Sequence, residues 1–358
     1  MIDLENKKLI SADNEKLLYM GRIDFSDEKR PEFYWAASNV RMKFKGNCVG
    51  AVLKNYYYYG IISIGFLIDG KECKVNIEKN DEDIYIPLAE DLEDGEHEIV
   101  LFKRQDATHY FEFLGFAINK EGEILEHNPL PKRKIECFGD SVSAGAVVEA
   151  VDYTASLDPE DHQGVYDNSW HSYSNITARN LGAQIHDTAQ GGISIFDGTG
   201  YYHAPDFIGM ETAYNKLCYF PEGSKGMTEW NFEKYIPDLV LFAVGQNDPH
   251  NEGHDDFDIT DTEYRTKWKN RYKDIILSLK EKYPNAVFIL LLTVLQHDSE
   301  WDKAVDEIVK ELNDDKITHF MFTRTGKATP GHPRLSEQYE MAEELTAYIS
   351  NMGDKIWS

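Results

Sequence analysis

The chain has 358 residues, enough for two domains or one large α/β domain, since a domain usually holds about 100 to 200 residues. Its 42% hydrophobic and 13% aromatic residues beside 28% charged are typical of a folded globular protein and exclude a disordered chain. The 37 Lys and Arg residues against 63 Asp and Glu give a formal net charge of −26, which repels phosphate backbones and anionic lipid. We therefore expect no nucleic-acid partner and no membrane surface as a partner.

The four cysteines are widely spaced, without a C-x-x-C pair or a Cys/His pattern that would suit zinc. The sequence thus predicts neither a disulfide framework nor a thiolate metal site. The N-terminal segment lacks the apolar run of a signal peptide, and no stretch reaches the roughly 18 apolar residues of a membrane span. If Met1 is the natural start, we expect a cytoplasmic protein.

Residues 1–127 are predicted to form a β-sandwich. Within NVRMKFKG, Val40, Met42 and Phe44 share one face and the basic residues share the other, as a half-buried antiparallel strand requires. The pair Asp69–Gly70 between two apolar runs predicts a tight hairpin, because both residue types tolerate a positive φ. Six or seven such segments without a helical pattern are typical of a sandwich.

A proline-bearing stretch, residues 128–134 (NPLPKRK), is predicted to connect the sandwich to a second domain over residues 135–358. There, apolar strands alternate with helical patterns, which is typical of a parallel sheet covered on both faces. Two long insertions, residues 149–171 and 196–236, are rich in Tyr, Asp and Gly and are candidate walls of a site. The predicted strands are 135–138, 183–186, 239–244, 286–292 and 319–322, and the clearest helices are 264–283 and 335–352.

Four short motifs lie where a parallel sheet binds its ligands, at the carboxyl ends of strands or at the start of the last helix. FGDSVSAG leaves Ser141 at the mouth of a helix, whose N-terminus favours developing negative charge. AQGGIS contains Gly192, which permits close backbone approach to a ligand oxygen, and VGQND ends a very apolar strand with Asn247 as an amide donor. GHPRL places His332 just before the last helix.

Each motif alone has an ordinary structural explanation. The serine can be a helix N-cap, the glycine a turn, the asparagine part of an Asx turn, and the histidine a surface residue. Together, however, they supply a nucleophile, two oxyanion donors and a base in one chain order at one sheet edge. That set is what acyl transfer needs.

With these motifs the sequence resembles the SGNH (GDSL-type) hydrolases: Ser141 matches the block I serine, Gly192 the block II glycine, Asn247 the block III asparagine and His332 the block V histidine. A sandwich ahead of such a domain, with GRIDF and a nearby strand bearing Trp35, resembles carbohydrate esterase family 2, whose members remove acetyl groups from plant polysaccharides. This resemblance covers nearly the whole chain. It implies an SGNH-type three-layer α/β/α domain with a parallel sheet, preceded by a jelly-roll-like sandwich.

The resemblance implies a serine esterase that acts on acetylated xylo-, manno- or gluco-oligosaccharides and needs no metal or organic cofactor. Ser141 would attack the acetyl carbonyl and His332 would take its proton. The Ser141 and Gly192 N–H groups and Asn247 would hold the oxyanion. Two alternatives remain open: a carbohydrate-binding protein without catalysis, and an SGNH lipase or thioesterase acting on other acyl esters. The oligomeric state is also open, although a sandwich edge could support a homo-oligomer.

One position departs from the SGNH pattern. An Asp usually stands three residues before the histidine, where this chain has Thr329. Because family 2 includes members that work with a Ser-His dyad, the resemblance implies that a main-chain carbonyl of residues 328–330 orients His332. The competing acids are Asp298 and Asp302, beyond the fourth predicted strand.

Two further sets of residues could bind a ligand, the first a metal ion and the second a sugar. His250 and His254 lie among many carboxylates, but the Asp, Asn and Gly content of that segment favours a solvated loop over a metal site. Trp170, Tyr201 and Trp301 lie on or near the insertions and could stack on sugar rings, or they could simply form walls of the site.

Overall fold

The computed structural model describes residue 4 and residues 6–79, 82–106 and 109–357. The chain divides into two compact units, Met1–Leu130 with Gln163–Val165 and Pro131–His162 with Tyr166–Ser358. The change of unit falls inside the stretch that the sequence predicts as the connection. Its last two residues already belong to the first strand of the second unit. The return of residues 163–165 to the first unit was not predicted.

The first unit is a sandwich of two antiparallel sheets, each of six strands among the residues described. Its strands are β1 (Lys7–Ser11), β2 (Leu18–Met20), β3 (Ile23–Asp24), β4 (Glu32–Phe33), β5 (Asn39–Gly46), β6 (Val49–Tyr57), β7 (Ser63–Ile68), β8 (Lys71–Asn76), β9 (Ile84–Ala89), β10 (Gly95–Lys103), β11 (His109–Asn119) and β12 (Glu123–Leu125). One sheet has the order β3-β4-β11-β6-β9 with β1 on β11, and the other β12-β5-β10-β7-β8 with β2 on β5. The predicted sandwich is confirmed.

The alternation in β5 explains how the sequence builds this core. Val40, Met42 and Phe44 are fully buried between the sheets, whereas Lys43 is half-buried and Lys45 is exposed. The predicted hairpin joins β7 to β8, with φ of 51° at Asp69 and 79° at the glycine that follows. Both values lie in the left-handed region that a two-residue turn of this kind requires.

The second unit is built on a five-stranded parallel sheet with the order β14-β13-β17-β18-β19, which confirms the predicted α/β class. Its strands are β13 (Arg133–Gly139), β14 (Ala183–Ala189), β15 (Lys216–Cys218), β16 (Thr228–Glu229), β17 (Leu239–Ala243), β18 (Val287–Leu291) and β19 (Ile317–Phe320), of which β15 and β16 pair separately. Its helices are α1 (Ser141–Ala144), α2 (Tyr173–Asn180), α3 (Met210–Ala213), α4 (Thr262–Lys282), α5 (Ser299–Leu312) and α6 (Leu335–Asn351).

Every predicted strand of the second unit is present, although β19 begins and ends two residues earlier than the sequence indicated. Helix α5 was not singled out, yet Asp298 caps its start and a left-handed Asn313 ends it. Because β13, β14, β17 and β18 run parallel in close register, their carboxyl ends meet at one edge. The motifs that follow three of these strands are thereby brought together.

No helix among the described residues is long and apolar enough to cross a membrane.

The opposite faces of β5 give a test of the sandwich core. Phe44→Ala should lower the free energy of unfolding by about 3 to 5 kcal/mol, because it leaves a cavity between the sheets. Lys45→Ala, one residue further along the exposed face, should change it by about 0.5 kcal/mol or less. Urea unfolding of the full chain measures both. Equal effects of the two substitutions would contradict the assigned faces.

Candidate active site

Ser141 is the first residue of the short helix α1, directly after β13. Asp140, not the serine, caps this helix by accepting a hydrogen bond from the Val142 N–H at 3.0 Å. The N-cap explanation of Ser141 is therefore wrong. A Cβ at Gly139 would lie 2.2 Å from the Ser143 hydroxyl oxygen, so the turn into the helix requires glycine there. The Gly-Asp-Ser order thus leaves the Ser141 hydroxyl without a capping role.

His332 lies within hydrogen-bond distance of the serine. Its Nε2 is 2.7 Å from the Ser141 Oγ, although 191 positions separate the two residues. The histidine lies three residues before helix α6, which begins after Arg334, and the Arg334 N–H donates to the Glu337 carboxylate at 2.9 Å. The structure thus brings together the two residues that the sequence proposed as nucleophile and base.

The other ring nitrogen of His332 binds a carboxylate, which contradicts the predicted dyad. Nδ1 lies 2.6 Å from Asp158 Oδ2, and the His332 main-chain N–H donates to Asp158 Oδ1 at 2.9 Å. An ionised carboxylate can only accept hydrogen bonds, so the ring proton sits on Nδ1 and Nε2 is left to accept from the Ser141 hydroxyl. Ser141, His332 and Asp158 therefore form a triad.

One of the three carbonyls that were expected to orient His332 is engaged elsewhere. The Thr329 carbonyl accepts a hydrogen bond from the Gln296 N–H at 2.8 Å, within a short parallel bridge between Leu295 and Thr329. The two acids named as competitors are also occupied: Asp298 caps α5, and Asp302 lies 3.1 Å from the Nε2 of another histidine, His297.

Two neighbours of His332 fix the position of Asp158. The guanidinium of Arg334, fully buried, lies 2.9 Å from Asp158 Oδ1 and also donates to the His332 carbonyl. A Cβ at Gly331 would lie 2.6 Å from Asp158 Oδ1 and 2.6 Å from the Ser156 carbonyl oxygen. Only glycine before the histidine therefore allows the loop that carries the acid to approach this closely.

The electrostatics keep Asp158 ionised. Partial burial alone would raise the pKa of its carboxyl, but the hydrogen bonds from His332 and the charge of Arg334 lower the pKa well below its usual range. The sequence offered one signal for this residue, its place in the 149–171 insertion. No spacing relates it to a histidine 174 positions away.

Two of the three proposed oxyanion donors, Gly192 and Asn247, lie on segments that are tied together. Gly192 has a φ of 75°, and a Cβ there would lie 2.8 Å from the Tyr201 Cβ. Asn247 donates from Nδ2 to the Ile193 carbonyl at 2.9 Å, which leaves its second amide hydrogen for a ligand. The turn after β14 is therefore held against the end of β17.

Asp248, next to Asn247, strengthens this tie. Its buried carboxyl accepts from the Ile195 N–H at 3.0 Å and from the Trp268 Nε1–H at 2.8 Å. Burial raises the pKa of Asp248 to about 7, and burial likewise raises the pKa of Asp140 to about 6. These two acids thus differ from Asp158, which lies beside the guanidinium of Arg334.

Among the aromatic candidates, Tyr201 is the one that the structure places beside a site residue. Its main-chain N–H donates to the Gly192 carbonyl at 2.8 Å. Its ring stacks on the His250 imidazole at a centroid distance of 3.9 Å, yet the residue is 58% exposed. The ring is therefore held on one face and open elsewhere.

The two tryptophans have other surroundings. Trp170 is half-buried and stacks with the Arg179 guanidinium at 4.5 Å. Trp301 is 3% exposed and packs edge-on against Trp268, between helices α4 and α5. Its expected role in sugar binding is corrected by this burial, because a ring that is 3% exposed leaves no face for a sugar to stack on.

The loop that contains His250 and His254 does not bring metal ligands together. His250 is engaged in the stack with Tyr201, and His254 is exposed. Among the residues that the structure describes, no group of three or more His, Cys, Asp or Glu side chains could hold a metal ion.

The arrangement can perform acyl transfer. A hydroxyl lies 2.7 Å from an imidazole nitrogen that is free to accept its proton, and a carboxylate orients the ring from the other side. These are the relations of nucleophile, general base and orienting acid. Amide donors on the neighbouring loops could receive the negative charge that the carbonyl oxygen develops.

Asp248 gives a pH test of this site. Its raised pKa means that the native state holds a proton, between about pH 4 and 7, that the unfolded state has lost, so its contribution to stability falls as the pH rises. Asp248→Asn keeps the acceptor oxygen and removes the titration. The drop in unfolding free energy from pH 5 to 8 should therefore shrink by on the order of 2 kcal/mol.

Asp255→Asn changes an exposed acid on the same connection between β17 and α4; it serves as the control and should follow the unsubstituted protein. Denaturant unfolding at the two pH values measures the difference. An Asp248→Asn variant with unchanged pH dependence would show that Asp248 is ionised throughout this range.

Comparison with known proteins gives a consistent result. Residues 19–128 match the family model described as Carbohydrate esterase 2 N-terminal. The chain is 30% identical to the cellulase/esterase CelE of Acetivibrio thermocellus, covering 97% of this chain and 41% of CelE. It is 25% identical to the acetylxylan esterase / glucomannan deacetylase of Cellvibrio japonicus, covering 96% of this chain and 91% of that protein. It therefore spans less than half the length of CelE.

Among solved structures, the chain resembles a family two carbohydrate esterase from Clostridium thermocellum in complex with cellohexaose. The TM-score is 0.78 at 29% identity, over 95% of this chain and 99% of that one. Both units of the fold are thus shared with that esterase. The chain is accordingly similar to the family two carbohydrate esterases over nearly its whole length.

Proposed function

We propose that this protein is a serine esterase that removes O-acetyl groups from acetylated plant-derived oligosaccharides through an acyl-enzyme. One observation carries the proposal: the Ser141 hydroxyl lies 2.7 Å from His332 Nε2 while Asp158 holds Nδ1 at 2.6 Å. This geometry is built to deprotonate a hydroxyl. A protein that only binds carbohydrate has no need of it.

In the first half-reaction the Ser141 Oγ attacks the acetyl carbonyl carbon while His332 Nε2 takes the hydroxyl proton. Asp158 stabilises the imidazolium that forms, and the Ser141 N–H, the Gly192 N–H and the Asn247 amide bind the oxyanion. His332 then gives its proton to the departing sugar oxygen, which leaves an acetylated serine. In the second half-reaction, water deprotonated by His332 attacks the acetyl carbon, the bond to Ser141 Oγ breaks to release acetate, and His332 returns its proton to Oγ.

The substrate class draws support from the relatives and from the site. One relative is named an acetylxylan esterase and glucomannan deacetylase, and the similar solved structure holds cellohexaose. The exposed ring of Tyr201 lies beside Gly192 and offers an apolar face of the kind that stacks on a pyranose. We therefore place xylo-, manno- and gluco-configured oligosaccharides in the substrate class.

Removal of the nucleophile is the direct test of the function. Ser141→Ala should abolish acetate release from acetylated xylo-, manno- and gluco-oligosaccharides, because loss of a nucleophile removes several orders of magnitude in rate. Stability should change little, since Asp140 supplies the helix cap. Ser143→Ala, two residues along the same helix with its hydroxyl 3.0 Å from the Tyr173 hydroxyl, is the matched control and should stay active. A Ser141→Ala variant with a tenth of the activity would end the serine mechanism.

The triad makes a second prediction that a dyad does not. Asp158→Asn should lower kcat by up to about 10⁴-fold, because the amide no longer fixes the ring tautomer or stabilises imidazolium. Glu160→Gln removes an exposed acid two residues along the same loop and should leave kcat unchanged. Steady-state kinetics on one acetyl ester compares them. If the two variants behave alike, His332 does not depend on Asp158.

A further inference from the structure

The loop that carries Asp158 passes through both units. Asp158 belongs to the second unit, residues 163–165 belong to the first, and the chain returns to the second unit at Tyr166. We call residues 163–165 the strap. Only residues 159–162 separate Asp158 from it, and the first of these is the buried Pro159, which fixes its own φ and reduces the slack of the segment.

The first unit holds the strap through a buried amide. Gln105 is fully buried, and its Nε2 donates to the Gly164 carbonyl at 3.0 Å and to the Ile61 carbonyl at 2.9 Å. Its Oε1 accepts from the Ser63 N–H at 2.9 Å. Both the oxygen and the nitrogen of the Gln105 amide are thus held by hydrogen bonds, and one of these bonds goes to the strap.

Main-chain contacts hold the strap from a second side. The Ile61 N–H donates to the Gln163 carbonyl at 2.8 Å. A Cβ at Gly60 would lie 2.6 Å from that same carbonyl oxygen, so any side chain there would push the strap away. Gln163 itself has a φ of 49°, a left-handed conformation that non-glycine residues keep only where the surroundings enforce it.

The chain on the far side of the strap is anchored beside the nucleophile helix. The Tyr166 carbonyl accepts from the Glu149 N–H at 2.9 Å, and the Asn168 N–H donates to the Gly145 carbonyl at 2.8 Å, where Gly145 ends α1. The loop therefore contacts the catalytic unit on both sides of the strap, at His332 through Asp158 and next to the helix of Ser141.

We propose that Gln105 and Gly60 of the first unit are positioning residues of the active site: by holding the strap, they fix the loop that presents Asp158 to His332. The inference rests on the proposed ester hydrolysis for its kinetic consequence. Its structural consequence, the Asp158–His332 hydrogen bond, is independent of that function. The first unit then contributes to catalysis through the covalent chain, whether or not it binds carbohydrate.

The test loosens the strap without touching the triad. Gln105→Leu removes the donor to Gly164, and Gly60→Ala places a methyl group against the Gln163 carbonyl. Each should lower kcat for acetate release at least tenfold with KM within about twofold, since a misplacement of about 1 Å can cost about 100-fold in rate. Gly70→Ala is the matched control, because Gly70 has a similar φ of 79° in the same unit but no atom within 4 Å of the added methyl. It should keep the full rate.

A second background separates positioning from general damage. In Asp158→Asn the same strap substitutions should change kcat by less than about twofold, because the group that they position is already gone. Effects of equal size in both backgrounds would overturn the proposal, as would full kcat in both strap variants. Two variants are used so that a failure of one to fold leaves the other informative.

A spectroscopic measurement tests the positioning role of Gln105 and Gly60 separately from the proposed ester hydrolysis. The low-field proton resonance of the His332 Nδ1–H, assigned by its loss in Asp158→Asn, should be retained in Gly70→Ala and lost or shifted in Gln105→Leu and Gly60→Ala. If the resonance responds this way while the unsubstituted protein releases no acetate, the proposed function fails and the positioning role stands. If acetate is released but neither rate nor resonance responds, the positioning role fails.

Discussion

The carboxylate of Asp158 holds His332 by its ring and by its main chain at the same time, and much of the site depends on this double contact. It sets the tautomer that leaves Nε2 free to take the Ser141 proton. It also explains two features of the segment around the histidine. Gly331 leaves space for the carboxylate of Asp158, and the positive charge of the buried Arg334 balances its negative charge. Two residues of the GHPR segment, the glycine and the arginine, are therefore explained by their contacts with Asp158, which is far away in the chain.

The acids around the site differ in role because their surroundings differ. Asp158 meets N–H donors and a guanidinium, which lower its pKa and keep it ionised. Asp140 and Asp248 are buried with main-chain and indole N–H partners, and burial raises their pKa values to about 6 and about 7. When the surroundings of neighbouring acids differ in this way, their pKa values differ too, so that one acid can act through its charge while another acts only in the structure. Here the ionised acid faces the base, while the other two order the turns that carry Ser141 and Asn247.

Much of the fold could be predicted from the sequence because it follows from local periodicity. The two-residue alternation of β5 and the apolar runs of β13, β17 and β18 mark a sandwich and a parallel sheet without any knowledge of partners. Ser141 and His332 could be predicted for the same reason, since each lies at a recognisable element boundary.

Asp158 could not be found in this way. It lies in an insertion without periodicity, and its partner is 174 positions away, so only the folded chain relates them. Thr329 misled the interpretation because it stands where an acid is usual, whereas the acid that binds His332 comes from a distant loop. Trp301 was wrongly proposed for sugar binding because the sequence does not distinguish a tryptophan buried on the inner face of a helix from one exposed in the wall of a site. The strap was missed because its contacts are main-chain carbonyls, which leave no side-chain pattern.

The whole mechanism depends on one covalent step, the acylation of Ser141 during turnover. Acid quenching of the enzyme within milliseconds of mixing with 4-nitrophenyl acetate, followed by peptide mass spectrometry, tests it most directly. We expect a transient acetyl group on the peptide that contains Ser141, absent from Ser141→Ala and decaying as acetate is released. An acetyl group on a different residue, or turnover without an acylated peptide at any time point, would contradict it.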